Sequence, residues 1–250
     1  MQDVKDLLIK ALKSKLKSYN PETSYMPFHT RLLGSDRMAL FSFIQSLNTN
    51  FGTSIFELVA KELAKNNFEV VQKQRDMGNK IYKNCQITIQ QIIDNLESAN
   101  ARPDKINELK AISNSQSGDL STIKPTKVDL FLKRDKEIFL IDLKTAKPNK
   151  GSFKEFKRTL LTWSALAMLD FKNHGINSLI AIPYNPYEPK PYARWTIAGM
   201  LDLKHELKVA KEFWDFLGGD GSYELLLNAF EQAGISLRAE IDAYFAKFMY

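Results

Sequence analysis

Apolar residues in the first part of the chain recur with helical spacing. Between residues 3 and 18 they fall at every third or fourth position opposite a lysine-rich face, which predicts an amphipathic helix. Prolines and a glycine in 19–35 predict a loop, and helical spacing resumes over 36–48. Residues 51–54 are expected to interrupt the chain and to supply a hydroxyl cap for the next helix.

The second part of the chain adds strand patterns to helical ones. Two apolar segments, 128–132 and 137–143, flank a short polar turn and predict a β-hairpin. The other predicted elements are a strand over 68–75, two helices within 84–112 broken near Pro103, a helix from about 152, a buried strand over 179–182, and helical stretches over 205–217 and 222–248.

This order of elements predicts an α/β fold in which helices flank a mixed β-sheet, with additional N- and C-terminal helices. With 250 residues and 44% hydrophobic content, the chain can form one sizeable core. We expect a single domain over 1–250, made of a helical N-terminal extension (1–50), a core (51–200) and C-terminal helices (201–250).

The hairpin carries polar side chains in apolar surroundings. Asp142 and Lys144 are two residues apart, so both point to one face of their strand. If the turn has an even number of residues, Asp129 lies opposite Asp142, with their Cβ atoms about 5 Å apart. An odd turn would place Asp129 on the other face. The sequence favours the even turn, because Phe131 then pairs with Leu140.

Two carboxylates at this separation suit Mg²⁺, which takes oxygen ligands and keeps several waters. Asp129 and Asp142 are therefore candidate ligands, the Leu143 carbonyl is a candidate third ligand, and Lys144 is a candidate to assist an attacking water. The alternative is a solvated strand face with a cross-strand ion pair. The apolar residues on either side favour the metal site, since an unpaired buried carboxylate needs a compensating cation.

Composition narrows the setting of this chemistry. The net charge of +6 favours a polyanionic partner. A single cysteine, Cys85, excludes an internal disulfide framework, and the three histidines lie far apart for a histidine-based zinc motif. The N-terminus lacks the features of a secretory signal, and no apolar run reaches the length of a membrane span. We expect a cytoplasmic protein with no membrane association, and the family resemblance described next implies a prokaryotic cell.

The spacing of Pro125, Asp129 and Asp142-Leu143-Lys144 resembles the PD-(D/E)XK nuclease signature, although Pro125 is not adjacent to Asp129. The C-terminal half further resembles type II restriction endonucleases of the TdeIII-type family, through segments 184–192, 194–195, 212–216 and 218–219. The resemblance implies Mg²⁺-dependent cleavage of double-stranded DNA by a homodimer at a short palindromic or interrupted palindromic site. A GGNCC-type sequence is one candidate target.

Two other functions are compatible with these residues. One is a structure-specific repair or junction nuclease of the same fold. The other is a DNA-binding module without catalysis, in which the acids only pair with lysines.

Further residues are candidates for the active site or for DNA contacts, and each can instead be an ordinary surface or packing residue. Glu57 is the candidate fourth acid, with Glu62 as the weaker choice. Candidate DNA-contacting residues form three groups. The first follows the hairpin and contains Lys147, Asn149 and Lys150, with Lys154, Lys157 and Arg158 behind them. The second precedes the hairpin and contains Gln72, Lys73, Gln74 and Arg75, and the third lies in the Pro/Tyr-rich segment 183–195 and contains Tyr184, Asn185, Lys190 and Arg194. Trp163 and Trp214 are predicted to be core residues.

Overall fold

A five-stranded mixed sheet forms the centre of the protein. The computed structural model describes residues 1–19, 26–148, 153–193 and 199–246. Its strands are β1 (Val70–Asp76), β2 (Lys80–Tyr82), β3 (Leu120–Thr122), β4 (Lys127–Arg134), β5 (Glu137–Leu143), β6 (Gly175–Ile182) and β7 (Leu207–Val209). The central sheet has the order β1-β4-β5-β6-β7, antiparallel across the first three strands and parallel across the last three. The predicted mixed sheet is confirmed.

Helices cover both faces of this sheet. They are α1 (Gln2–Ser18), α2 (Pro27–Leu33), α3 (Ser35–Asn50), α4 (Phe56–Ala64), α5 (Lys83–Glu97), α6 (Lys105–Asn114), α7 (Phe153–Asp170), α8 (Lys211–Gly218), α9 (Ser222–Ser236) and α10 (Arg238–Ala246). Across the described ranges, none of these helices has the length and apolar content needed to cross a membrane.

Two hydrophobic clusters lie on opposite faces of the sheet because strand side chains alternate. Ile138 and Leu140 of β5 join the cluster under α5, α6 and α7. Ile141 and Leu143 join the cluster under α1, α4, α8 and α9. Asp142 and Lys144 share the parity of Leu140, so they lie on the α7 side of the sheet.

The tryptophans predicted to be core are buried, at 2% exposure for Trp163 and 1% for Trp214. Each indole N–H has an acceptor, since Trp163 donates to the Thr126 hydroxyl at 2.8 Å and Trp214 to the Pro183 carbonyl at 2.7 Å. Both predictions are confirmed.

Three local predictions are wrong. The expected loop 19–35 contains α2, because Pro27 occupies the first helical turn, where its missing N–H is not needed. Residues 51–54 do not interrupt the chain, because a π-helical turn joins α3 to α4, and the Ser54 hydroxyl donates to the Asn50 carbonyl at 3.0 Å instead of capping α4. The predicted helical stretch 205–217 begins with β7, which extends the sheet beside β6.

Candidate active site

The hairpin has the even register on which the site depends. Arg134 pairs with Glu137 across the two-residue turn, and Leu130 pairs with Ile141. Asp135 in this turn has φ +52°, a conformation that aspartate tolerates better than most residues. Continued by one pair, the register sets Asp129 opposite Asp142. The predicted even turn is confirmed.

Asp142 is the most perturbed carboxyl of the hairpin. Its side chain is only 5% exposed, and its Oδ1 lies 2.6 Å from Lys144 Nζ. Burial, opposed by Lys144 and reinforced by the charge of Asp129, raises the pKa of Asp142 to about 7. A carboxylate held this way gains from any further cation that reaches it.

Asp129 is half-buried and has a hydrogen-bond donor on each oxygen. Its Oδ2 accepts from the backbone N–H of Leu143 at 3.0 Å, and its Oδ1 accepts from Gln74 Nε2 at 3.0 Å. Both donors are neutral, so the negative charge of the carboxylate is not balanced by them.

Glu57 reaches the same place from helix α4. Gln74 Nε2 also donates to Glu57 Oε1 at 3.0 Å, so that one amide group joins Glu57 to Asp129. Glu57 is 5% exposed, and burial is the main cause that raises the pKa of its carboxyl. Lys73 Nζ lies 3.4 Å from Glu57 Oε2 and partly balances its charge.

Lys144 lies between Asp142 and an aromatic ring. Its ammonium group is 4.5 Å from the centre of the Phe156 ring on α7, close enough for a cation–π contact. The side chain is 27% exposed, so the ammonium group is held in place while solvent can still reach it.

The oxygen donors fit a Mg²⁺ ion better than a metal that needs many protein ligands. Within the described ranges, no three acidic, histidine or cysteine side chains converge closely enough to hold a metal ion. Asp129 and Asp142 form a pair, and Glu57 is linked to them through Gln74. Mg²⁺ commonly uses one or two carboxylates and fills its remaining positions with water and phosphate oxygens. This pair of carboxylates suits that ion.

Two of the candidate DNA-contacting residues line one cleft. Lys147 and Tyr184 line a cleft of about 320 Å³ together with Thr145, directly after the strand of Asp142. Tyr184 is 46% exposed, and Lys147 is also exposed. Asn149, Lys150 and Arg194 lie outside the described residues.

Other candidates have partners within the protein. Gln72 accepts a hydrogen bond from Arg75 at 3.1 Å, and the Arg75 guanidinium group lies 3.9 Å from the centre of the Phe131 ring. Asn185 donates to the Lys190 carbonyl at 2.7 Å and accepts from the Tyr187 N–H at 3.0 Å. The amide of Asn185 therefore shapes its own loop, while the Lys190 side chain remains exposed.

The suggestion that Lys157 lines a phosphate backbone is wrong. Its side chain is 0% exposed and pairs with Glu108 and Glu206, each at 2.5 Å. Lys105 pairs with Glu206 at 3.0 Å, which completes a buried quartet of two lysines and two glutamates. Lys154 and Arg158, by contrast, form partly exposed pairs with Glu97 and Glu155.

Gln74 is the functional candidate whose role the sequence did not reveal. Its sequence neighbourhood predicts a DNA-contacting residue, but its side chain donates hydrogen bonds to two acids. The contact of Gln74 with the acids follows from the register of β1 against β4, which places Gln74 opposite Asp129. That register depends on pairing between segments more than 50 residues apart in the chain.

The mixed sheet and this acidic hairpin define the class of protein, an enzyme with a restriction-endonuclease-like fold. Comparison with known proteins agrees. A family model described as type II restriction endonuclease HinfI matches residues 1–234. The chain belongs to this family, and the expected class of type II restriction endonuclease is confirmed.

Individual relatives are distant but cover most of the chain. The type II restriction enzyme HgiCII of Herpetosiphon aurantiacus is 25% identical over 233 residues, which cover 91% of this chain and 84% of that protein. The type II restriction enzyme MjaII of Methanocaldococcus jannaschii is 24% identical over 241 residues, which cover 85% of this chain and 64% of that protein.

Proposed function

We propose that this protein is a Mg²⁺-dependent endonuclease of a restriction system, which hydrolyses both strands of double-stranded DNA at a short palindromic or interrupted palindromic site. Family membership supports the class of reaction. The observation that carries the metal dependence is the Asp142 carboxyl, buried opposite Asp129 with its pKa raised to about 7. Such a group requires positive charge to be stable as a carboxylate at neutral pH.

Asp129 and Asp142 would hold the Mg²⁺ ion, with the Leu143 carbonyl as a further oxygen donor. When bound, the ion supplies positive charge that polarises the scissile phosphate and makes a water molecule more acidic. Leu143 also fixes the orientation of Asp129 through its N–H.

Lys144 would act on the reacting groups themselves. Its ammonium group can donate a hydrogen bond to the attacking water or to a phosphate oxygen, and its charge offsets the negative charge that develops during the reaction. The contacts with Asp142 and Phe156 keep Nζ near the metal ligands. Arginine at this position would present a wider, planar group and would not reproduce this placement.

The exposed residues of the cleft would position the DNA backbone beside the acids. Lys147 lies four residues after the end of β5, so a phosphate contact there would hold the scissile bond near Asp142. Tyr184 and Lys190, on the loop after β6, are also exposed and would add contacts to the backbone.

We further propose that the enzyme is a homodimer. The two strands of a palindromic site are related by a two-fold axis, and one active site attacks one strand. A second copy related by the same axis places a second active site on the other strand.

One experiment tests the proposed reaction. The parent protein, Asp142→Asn and the control Asp94→Asn, which alters an exposed carboxylate on α5, are incubated with plasmid DNA in Mg²⁺ or EDTA. We expect the parent and the control to produce discrete linear fragments in Mg²⁺ but not in EDTA, and Asp142→Asn to produce none in either. Cleavage in EDTA, or undiminished cleavage by Asp142→Asn, would contradict the proposal. Cleavage restricted to branched DNA would instead identify a junction nuclease.

A further inference from the structure

We infer that Gln74 is a positioning residue, which holds the Asp129 carboxylate in the orientation that the metal requires. The inference rests on the proposed function. It concerns a neutral side chain that would not be a metal ligand itself. The bridge that this side chain makes between Glu57 and Asp129 is the central observation.

The hydrogen bonds restrict Asp129 from two directions. Gln74 holds Oδ1 and the Leu143 N–H holds Oδ2, each at 3.0 Å, so rotation of the carboxylate would break both bonds. A lysine at position 74 could make the same contact but would balance the charge that attracts a cation. An amide donates hydrogen bonds without doing so, and each oxygen keeps a further lone pair.

The backbone at Gln74 indicates that this placement is imposed by its surroundings. Gln74 has φ +52°, although its neighbours keep the ladder register, with Lys73 opposite Leu130 and Arg75 opposite Val128. A positive φ is unusual for a residue with a side chain and is rare within a strand. Strained backbone of this kind clusters at functional sites, where it directs a side chain to a target.

The bridge also holds together two groups that repel each other. The charge of Asp129 is one of the causes that raise the pKa of Glu57, after burial. Without the amide between them, the two carboxylates would turn apart. Because partners that orient metal ligands typically contribute about 10–100-fold to metal affinity, we expect an effect of that size.

The test measures binding of Mn²⁺ to the full chain without DNA, by electron paramagnetic resonance. The variants are Gln74→Ala and the control Gln90→Ala, which removes a glutamine bonded to an exposed aspartate, Asp94. We expect the Kd for Mn²⁺ to rise about 10–100-fold in Gln74→Ala and to stay within twofold in the control. The melting temperature in EDTA should change little in either variant, since both side chains are exposed.

A merely structural role would give the opposite pattern, with a lower melting temperature and unchanged Mn²⁺ affinity, and would overturn the inference. If Gln74→Ala is unstable, Gln74→Gly replaces it, because glycine adopts a positive φ without strain. Asp142→Asn separates the two proposals. Loss of Mn²⁺ binding in Asp142→Asn but not in either Gln74 variant would refute the role of Gln74 alone. Retention in Asp142→Asn would refute the proposed metal site.

A different observation, exposed apolar side chains on α2 and α3, carries a second inference. We propose that these two helices form the contact surface with a second copy of this chain, which also rests on the proposed function. The surface is made of large apolar side chains that are exposed to solvent. They are Phe28 (84% exposed), Leu32 (81%), Leu33 (44%), Leu40 (44%), Phe41 (53%) and Ile44 (47%).

The spacing places these residues in stripes. Phe28 and Leu32 are one turn apart on α2, and Leu40, Phe41 and Ile44 share a face of α3. At about 200 Å² for a phenylalanine, Phe28 and Phe41 together expose on the order of 270 Å². The aliphatic side chains raise this to several hundred Å², which suits the apolar core of an interface of about 800 Å² on each partner.

The chemistry favours a second copy over other occupants. The stripes themselves are apolar, although Arg31 and Arg37 are exposed beside them, whereas a surface for DNA would be built mainly from cations. A two-fold interface uses the same patch on both copies, so a self-complementary apolar surface is sufficient. Two copies would each contribute α2 and α3, which would form a four-helix contact.

Sedimentation velocity in EDTA tests this surface without requiring catalysis. The parent is compared with Phe28→Ser/Leu32→Ser and with the control Leu225→Ser/Leu227→Ser, which alters side chains on α9 that are 52% and 53% exposed. We expect the mass of two chains for the parent and the control, and of one chain for the α2 variant. A monomeric parent, or a dimeric α2 variant, would overturn the inference. The inference would also be overturned if the parent were monomeric and bound phosphatidylserine vesicles while the α2 variant did not bind them. A dimer through this surface that never cuts DNA would instead refute the proposed function.

Discussion

Replacing Asp142 with asparagine should make the metal-free protein more stable and abolish DNA cleavage. Above pH 7, the Asp142 charge is buried in the folded protein but hydrated in the unfolded chain, so this charge destabilises the folded state. Asparagine has nearly the shape of the protonated acid and carries no charge. The substitution therefore removes an unfavourable term of the folded state together with the proposed metal ligand.

The pKa of Asp142 gives the size of this effect. The difference between the ordinary value of 3.8 and about 7, at about 1.4 kcal/mol for each pH unit, corresponds to about 4 kcal/mol. This is an upper limit, because an amide reproduces the hydrogen bonding of a carboxylic acid only in part. For a chain of 250 residues, each kcal/mol shifts the melting temperature by about 2–4 °C. We expect an increase of several degrees, and at most about 8–16 °C.

The sign reverses the usual behaviour of a paired aspartate. Between about pH 4 and pH 7 the folded parent binds a proton at Asp142 that the unfolded chain has lost, so the parent gains stability as the pH falls through this window. The advantage of Asp142→Asn should be complete at pH 8 and should vanish near pH 4.

Calorimetric melting in EDTA at several pH values measures this difference, with Asp94→Asn as the exposed control. Mg²⁺ should raise the melting temperature of the parent but not of Asp142→Asn, since only the parent keeps the ligand. A variant that melts below the parent at pH 8, or a stability difference that is the same at every pH, would refute the assignment of a buried, unfavourable charge to Asp142.

Three further substitutions test other parts of the structure. Lys144→Ala should lower the rate of cleavage at saturating DNA about 10²-fold or more, measured by single-turnover kinetics, while DNA affinity in Ca²⁺ stays near that of the parent. Lys157→Met should lower the free energy of unfolding, measured by urea denaturation, by about 3–5 kcal/mol, because it leaves buried carboxylates without a partner. Lys154→Met on the same helix should change it by less than about 1 kcal/mol. Lys147→Ala should reduce the slope of log affinity for DNA against log salt by about one, and Lys172→Ala, at the opposite end of the sheet, should leave it unchanged.

The core of the site could be predicted because its determinants are local. Strand alternation sets Asp142 and Lys144 on one face, and the length of the turn sets Asp129 beside them. Both are properties of a segment of about twenty residues, and neither depends on how the rest of the chain packs. The division of the chain into an N-terminal extension, a core and C-terminal helices stays a prediction.

The parts that could not be predicted depend on contacts between distant segments. Glu57 reaches Asp129 only because α4 packs against the sheet and β1 aligns Gln74 between them. Lys157 lies on a lysine-containing helix that resembles a solvated one in sequence. Its partners, Glu108 and Glu206, are each 49 residues away along the chain, so no local pattern reveals that it is buried.

The protein buries charge in two places, and the comparison between them supports the functional assignment. In the quartet, two lysines face two glutamates. Burial raises the pKa of Glu108 and lowers the pKa of Lys105, whereas Lys105 and Lys157 hold the pKa of Glu206 below its ordinary value against the effect of burial. At the hairpin, the ion pairs among the described residues set two lysines, Lys73 and Lys144, against three acids, Glu57, Asp129 and Asp142, and burial raises the pKa of Asp142 and of Glu57. A quartet with balanced charge serves folding, because each group already has its partner. The hairpin groups carry one more negative than positive charge, which a bound cation would balance, so the hairpin suits the proposed Mg²⁺ site better than the quartet does.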